Sequence, residues 1–171
     1  MHVIHCLLEI SLSPYLGIYE APSSVFYITG GTDGEQFLRH VLRYNPETNM
    51  WSKLPRLLEG RRSHCMVYFN GYLIAIGGTN DQGELNSVEL LDLDKKRFQK
   101  YMTRRYLNEY YTTRMSEEPH AQIYDIVYPE VPHFKWTWLP LASLNTVRSG
   151  ATACVLDEVR QQTLMTTIFT T

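Results

Sequence analysis

The sequence predicts an all-β fold of repeated four-stranded sheets, about two to three in number, interrupted by an irregular or partly helical insertion. Three observations carry this reading. The chain matches itself at an offset of 47 residues and again at 87; each copy holds short runs rich in β-branched and aromatic residues; and turn-forming residues separate those runs. In the first frame Val25–Phe26–Tyr27–Ile28–Thr29–Gly30–Gly31–Thr32 falls on Tyr72–Leu73–Ile74–Ala75–Ile76–Gly77–Gly78–Thr79, with Leu38 on Leu85, Val41 on Val88 and Trp51 on Phe98. A period of this length indicates an array or a propeller, because one such unit cannot bury its faces alone.

Taken in order, residues 1–23 fit neither copy well and read as a partial blade or a disordered segment. Met1–Leu12 is mildly apolar, but it lacks a basic flank and carries Glu9, so it does not read as a secretory signal. Residues 24–98 hold the two full repeats. His64–Phe69 and Tyr72–Ile76 are apolar β-prone runs joined by Asn70–Gly71, the pair preferred where both turn residues need positive φ. Their near-continuous apolar character predicts strands covered on both faces. Each glycine pair ends a strand where a Cβ would obstruct the turn or a neighbouring backbone. Ser87–Leu93 predicts a third strand, Asp92–Lys96 a polar turn, and Pro46–Asn49 a turn before a short outer strand around Trp51.

Residues 99–135 contain no glycine. They continue a basic stretch that begins at Lys95, pass through Tyr101, Tyr106, Tyr110 and Tyr111, and end in Glu117–Glu118 and beyond. An insertion between the third and fourth strands of a blade, a degenerate blade and unrelated sequence all remain open. Tyr106 and Tyr110, one helical turn apart, could share a helix face. Residues 136–171 read as an incomplete third repeat. At the offset of 87, Trp51 falls on Trp138, Leu54 on Leu141, Leu57 on Leu144 and Arg61 on Arg148, and Val67–Phe69 falls on Cys154–Leu156. Leu164 and Met165 stand where the glycine pair would be, although Thr163–Thr171 is rich in β-branched residues.

Composition narrows the function classes. With 171 residues, 44% hydrophobic, 20% charged and a net charge of −2, the chain is globular and lacks the basic excess of a nucleic-acid surface. No 18-residue apolar run predicts a membrane helix. Cys6, Cys65 and Cys154 are widely spaced without a CxxC pair, which fits a reducing compartment, cytoplasmic or nuclear.

The glycine doublet, Tyr44 seven residues before Trp51 within Tyr44–Asn45–Pro46–Glu47–Thr48–Asn49–Met50–Trp51, and Arg148–Ser149–Gly150–Ala151 together resemble the kelch repeat. The likeness covers residues 24–98 well and 136–157 in part. It implies a kelch β-propeller, here a partial or truncated one, since two full modules and part of a third cannot close a ring of roughly four to eight blades. Open sheet edges would then invite self-association and marginal stability.

No catalytic constellation emerges. His5, His40, His64, His120 and His133 are scattered without metal-ligand spacing, and Cys6 beside His5 has no positioned partner, so neither a metal nor a cofactor is expected. Thr29–Gly34 lacks the Gly-Lys-Ser/Thr of a phosphate loop. The best candidate is a basic loop, Arg61, Arg62, Ser63 and His64, with Arg148 and Ser149 in the matching frame. Equivalent loops of a propeller converge on one rim, where arginine forks and hydroxyls can hold carboxylates or phosphates. By resemblance this rim binds short acidic or turn-forming peptides, and with the arginine chemistry the expected partner is a protein carrying an acidic or phosphorylated peptide. The expected function is therefore a non-enzymatic protein-interaction module, similar to the substrate-recognition propeller of a kelch-like ubiquitin-ligase adaptor without its BTB region. An actin-binding kelch protein and a non-functional truncated isoform are the alternatives.

Overall fold

A computed structural model describes residues 16–20, 25–117 and 129–151. They fall into two compact units, one formed by the residues up to Leu91 together with those from Thr137 onward, the other by Asp92–Trp136. The first unit is a partial all-β propeller. Its first sheet holds β1 (Leu16–Glu20), β2 (Val25–Thr29), β3 (Val41–Asn45) and β4 (Met50–Lys53), antiparallel and in chain order. Its second holds β5 (Cys65–Phe69) and β6 (Tyr72–Ile76), then, past a small hairpin of β7 (Thr79–Asn80) and β8 (Gly83–Glu84), β9 (Val88–Asp92) and finally β10 (Leu139–Leu141).

Local chemistry sets these turns. Between β5 and β6, Asn70 and Gly71 take φ of 48° and 81°, the left-handed pair that a two-residue hairpin requires. Between β3 and β4, Asn45 accepts the Glu47 N–H at 2.9 Å and Asn49 turns left-handed at φ 53°. Tyr44 closes that turn by donating to Asn49 Oδ1 at 2.8 Å, while its ring packs 4.9 Å from Trp51. Cys65, Val67, Ile74, Ile76 and Val88 form a buried cluster, against which Tyr72, Leu90 and Leu144 pack. Each such side chain contributes about 2 kcal/mol by leaving water.

The repeat is visible as one hydrogen-bond pattern made twice. Gly30 N–H donates to His40 O at 2.9 Å, and Gly77 N–H to Ser87 O at 3.0 Å. Leu38 and Leu85 donate to the carbonyls of Gly31 and Gly78, both at 2.8 Å. Gly31 N–H then donates to Arg61 O at 2.8 Å, and Gly78 N–H to Arg148 O at 2.7 Å. Each glycine pair is thus clamped between its own loop and the next link.

The sequence frame set Phe98 against Trp51, whereas the structure takes the fourth strand of the second sheet from beyond residue 138. β10 pairs with β9 through Leu139–Leu90, Pro140–Glu89 and Leu141–Val88. Trp138, fully buried, donates its indole N–H to Pro55 O at 2.8 Å. The offset grows from 47 to 87 because residues 93–138 separate β9 from β10, where only residues 46–49 separate β3 from β4.

Most of the described part of that chain is helix α1 (Lys95–Glu117). Asp94 starts it, accepting the N–H groups of Lys96 and Arg97 at 2.9 and 3.2 Å. Residues 129–136 lie along the helix: Phe134 exchanges hydrogen bonds with the Gln99 amide and packs 6.1 Å from Tyr106, and Trp136 donates to Asp92 O at 2.8 Å. Tyr106 and Tyr110 stack at 6.5 Å, one turn apart on one helix face. Among the described residues no helix is long and apolar enough to cross a membrane, and no group of three His, Cys, Asp or Glu could hold a metal ion. Cys65 is buried and its sulfur faces the Met66 carbonyl at 3.8 Å. Cys6, His5, His120, Cys154–Leu156 and Thr163–Thr171 lie outside the described residues.

Candidate functional site

The link between β4 and β5 places the candidate loop. Arg62 exchanges two backbone hydrogen bonds with Thr79, N–H to O at 3.0 Å and O from N–H at 2.9 Å. Ser63, left-handed at φ 50°, offers its carbonyl to Gly150 N–H at 2.9 Å. Thr79 donates its hydroxyl to Ser149 Oγ at 2.8 Å. Three links therefore meet at one edge of the second sheet, bringing Arg62, Ser63 and Ser149 together around Thr79, with Arg148 next in the chain. The exposed Arg62 guanidinium lies over the Phe37 ring at 5.5 Å, which joins the loop after the first glycine pair to the same edge.

Two of the expected contact residues are corrected. Arg61 is not a rim residue: it is fully buried, and its guanidinium is consumed by the sheet. One nitrogen donates to Gly77 O at 2.7 Å and Ser87 O at 3.2 Å; the other donates to Ser87 Oγ at 2.9 Å and Glu89 Oε1 at 2.5 Å. Glu89, also buried, accepts in addition the N–H groups of Leu58 and Glu59 at 2.6 and 3.1 Å. The pair anchors the link to β9, so a partner cannot reach it.

His64 is buried as well, with Nε2 2.8 Å from Thr29 Oγ1 across the two sheets. Burial, reinforced by the Arg61 charge, pushes its pKa down to about 3, so the ring is neutral. A neutral, enclosed imidazole packs the two sheets together and offers no contact to a partner.

The edge carries both signs. Asp33, in the loop after the first glycine pair, accepts the N–H groups of Gln36 and Glu35 at 2.9 and 3.0 Å, and these bonds hold its carboxyl below the usual range. Asp81 and Glu84 are exposed on the β7–β8 hairpin. Thr79 and Glu89 are the further residues of this region that the loop expected from the sequence leaves out. A threonine follows each glycine pair at the same repeat position, and a glutamate interrupts the apolar Val88–Leu91 run, so both signals were present in the sequence.

The Kelch motif family matches residues 24–58 and 60–103. Kelch-like protein 13 of Homo sapiens is 37% identical over 68 residues, 37% of this chain and 10% of that protein. Kelch-like protein 7 of Rattus norvegicus is 36% identical over 50 residues, covering 29% and 8%, and Kelch-like protein 21 of Danio rerio is 32% identical over 56 residues, covering 33% and 9%. The matched segments span about a tenth of the length of these relatives. The two motif matches carry the two glycine pairs that are clamped alike, and over residues 24–103 the chain is similar to tandem Kelch motifs.

Proposed function

We propose that the chain is a non-enzymatic protein-interaction module that holds a carboxylate- or phosphate-bearing peptide at the edge formed by Arg62, Ser63, Arg148 and Ser149. The observation that carries this is the meeting of three links around Thr79, which places an exposed arginine and two serines at one edge. An arginine fork beside hydroxyls suits a planar or tetrahedral anion. The acids Asp33, Asp81 and Glu84 nearby select against a uniformly acidic partner and favour a single anionic group within a neutral or basic segment. The similarity to kelch-like proteins supports placing this capture step in a cullin-type ubiquitin-ligase adaptor, with the repeats as the substrate-binding part.

A peptide array displaying single Glu or phosphoserine residues in neutral and basic contexts tests the reading. Binding is expected to fall at least tenfold for Arg62→Glu with Arg148→Glu, since two charge-assisted contacts are lost. Circular dichroism should be unchanged. Equal binding by the folded variant removes the site.

A further inference from the structure

We propose that the exposed face of α1 is a second docking surface, one that takes an acidic protein segment with alternating carboxylates. The helix carries seven cations against two acids, Glu109 and Glu117. Four of the cations are engaged. Lys95 sits 4.5 Å over the Trp136 ring, Arg97 pairs with Asp92 at 2.7 Å, Arg105 pairs with Glu109 at 2.8 Å, and Arg114 contacts the Tyr110 hydroxyl at 3.2 Å. The other three, Lys96, Lys100 and Arg104, are exposed, and their side chains have no partner among the described residues.

Those three are spaced by four residues, so they form one stripe about 12 Å long with a charge every 6 Å or so. Like charges one turn apart repel, and cations in the first turn oppose the helix dipole, where the nearby carboxylates are already engaged, Asp94 by the N–H groups of Lys96 and Arg97 and Asp92 by the Arg97 guanidinium. Such a stripe is unfavourable in the isolated helix and is relieved by an external anion. An extended peptide repeats its side chains on one face about every 6.7 Å, which matches the stripe when every second residue is acidic.

Other polyanions fit less well. A single-stranded nucleic acid needs exposed aromatic platforms beside the cations. Of the four tyrosines on α1, only Tyr101 is exposed; Tyr106, Tyr110 and Tyr111 pack on one another or on Phe134. A membrane surface needs an apolar face beside the charges, and Tyr101 is the only large apolar side chain described as exposed on this helix.

Fluorescence anisotropy of the full chain with a labelled twelve-residue peptide of alternating Glu and Ser tests the surface. A Gln–Ser peptide and a twelve-nucleotide oligouridine serve as comparators. The Glu–Ser peptide should bind more tightly than either, and the triple change Lys96→Gln, Lys100→Gln, Arg104→Gln should weaken it about tenfold, as three exposed pairs would. Glutamine keeps helix propensity, so the far-ultraviolet spectrum should hold. The pair Arg62→Gln with Arg148→Gln should leave this binding intact, which separates the helix face from the sheet edge. Absent binding, or equal binding by the triple variant, overturns the proposal. Tighter oligouridine binding that disappears in the triple variant overturns it in favour of a nucleic-acid surface.

Discussion

Arg61 Nη2 lies 2.5 Å from Glu89 Oε1 inside the second sheet, where both residues are shielded from water. The pair is a cross-brace: Arg61 also satisfies the carbonyls that end β6 and precede β9, and Glu89 satisfies two N–H groups of the incoming link. Burying two charges is costly, and only this near-complete set of hydrogen bonds offsets it. Breaking one partner leaves the other charged and enclosed.

Arg61→Met should therefore destabilise the chain by about 3–5 kcal/mol in urea unfolding. Glu89→Leu should cost a similar amount, although Leu42 occupies the matching position of the first sheet without difficulty. The double variant should lose less than the two single losses combined, with a coupling of about 2 kcal/mol. Simple additivity would show that the brace has no energetic meaning.

His64 predicts a pH dependence. Its folded pKa of about 3 lies below the ordinary 6.5, so between those values the unfolded chain takes up a proton that the folded chain does not. The stability linked to the neutral ring is complete above pH 6.5 and is lost as pH falls towards 3. Unfolding free energy should drop by about 1 kcal/mol per pH unit below pH 6, relative to a His64→Gln variant measured alongside. Parallel curves for the two proteins would place the imidazole in contact with water.

How far the sequence reveals this molecule depends on whether a residue's environment is local. Asn70–Gly71, the strands beside it and the turn at Pro46–Asn49 were all legible, because two or four residues determine each of them. The fourth strand of the second sheet was not, since continuing the 47-residue frame leads to Phe98, which is a buried residue of α1. Trp138, in the 87-residue frame, was the correct lead, but nothing local links it to Pro55 across the fold. The edge residues Arg62, Ser63 and Ser149 could be grouped from the repeat alone. That Arg61 turns inward while its neighbour Arg62 stays exposed depends on Glu89, twenty-eight residues away.

The glycine pairs supply the last prediction. A Cβ on Gly30 would stand 2.3 Å from Arg61 O and 2.7 Å from the His64 ring, with φ at +62°. On Gly78 it would stand 2.6 Å from Arg62 O, with φ at +99°. In both places the obstacle is backbone that is itself hydrogen-bonded to the adjacent glycine or to Thr79, so it cannot yield without opening the contact between links. Gly83 has an equally left-handed φ of +113° but open space around it. Gly83→Ala should thus cost only the backbone strain, about 1–2 kcal/mol, whereas Gly30→Ala and Gly78→Ala should each exceed 3 kcal/mol, the range reserved for core disruption. Thermal melts of the three variants separate strain from collision. If all three lose the same stability, the glycines serve their turns alone and the close approach of the links contributes nothing.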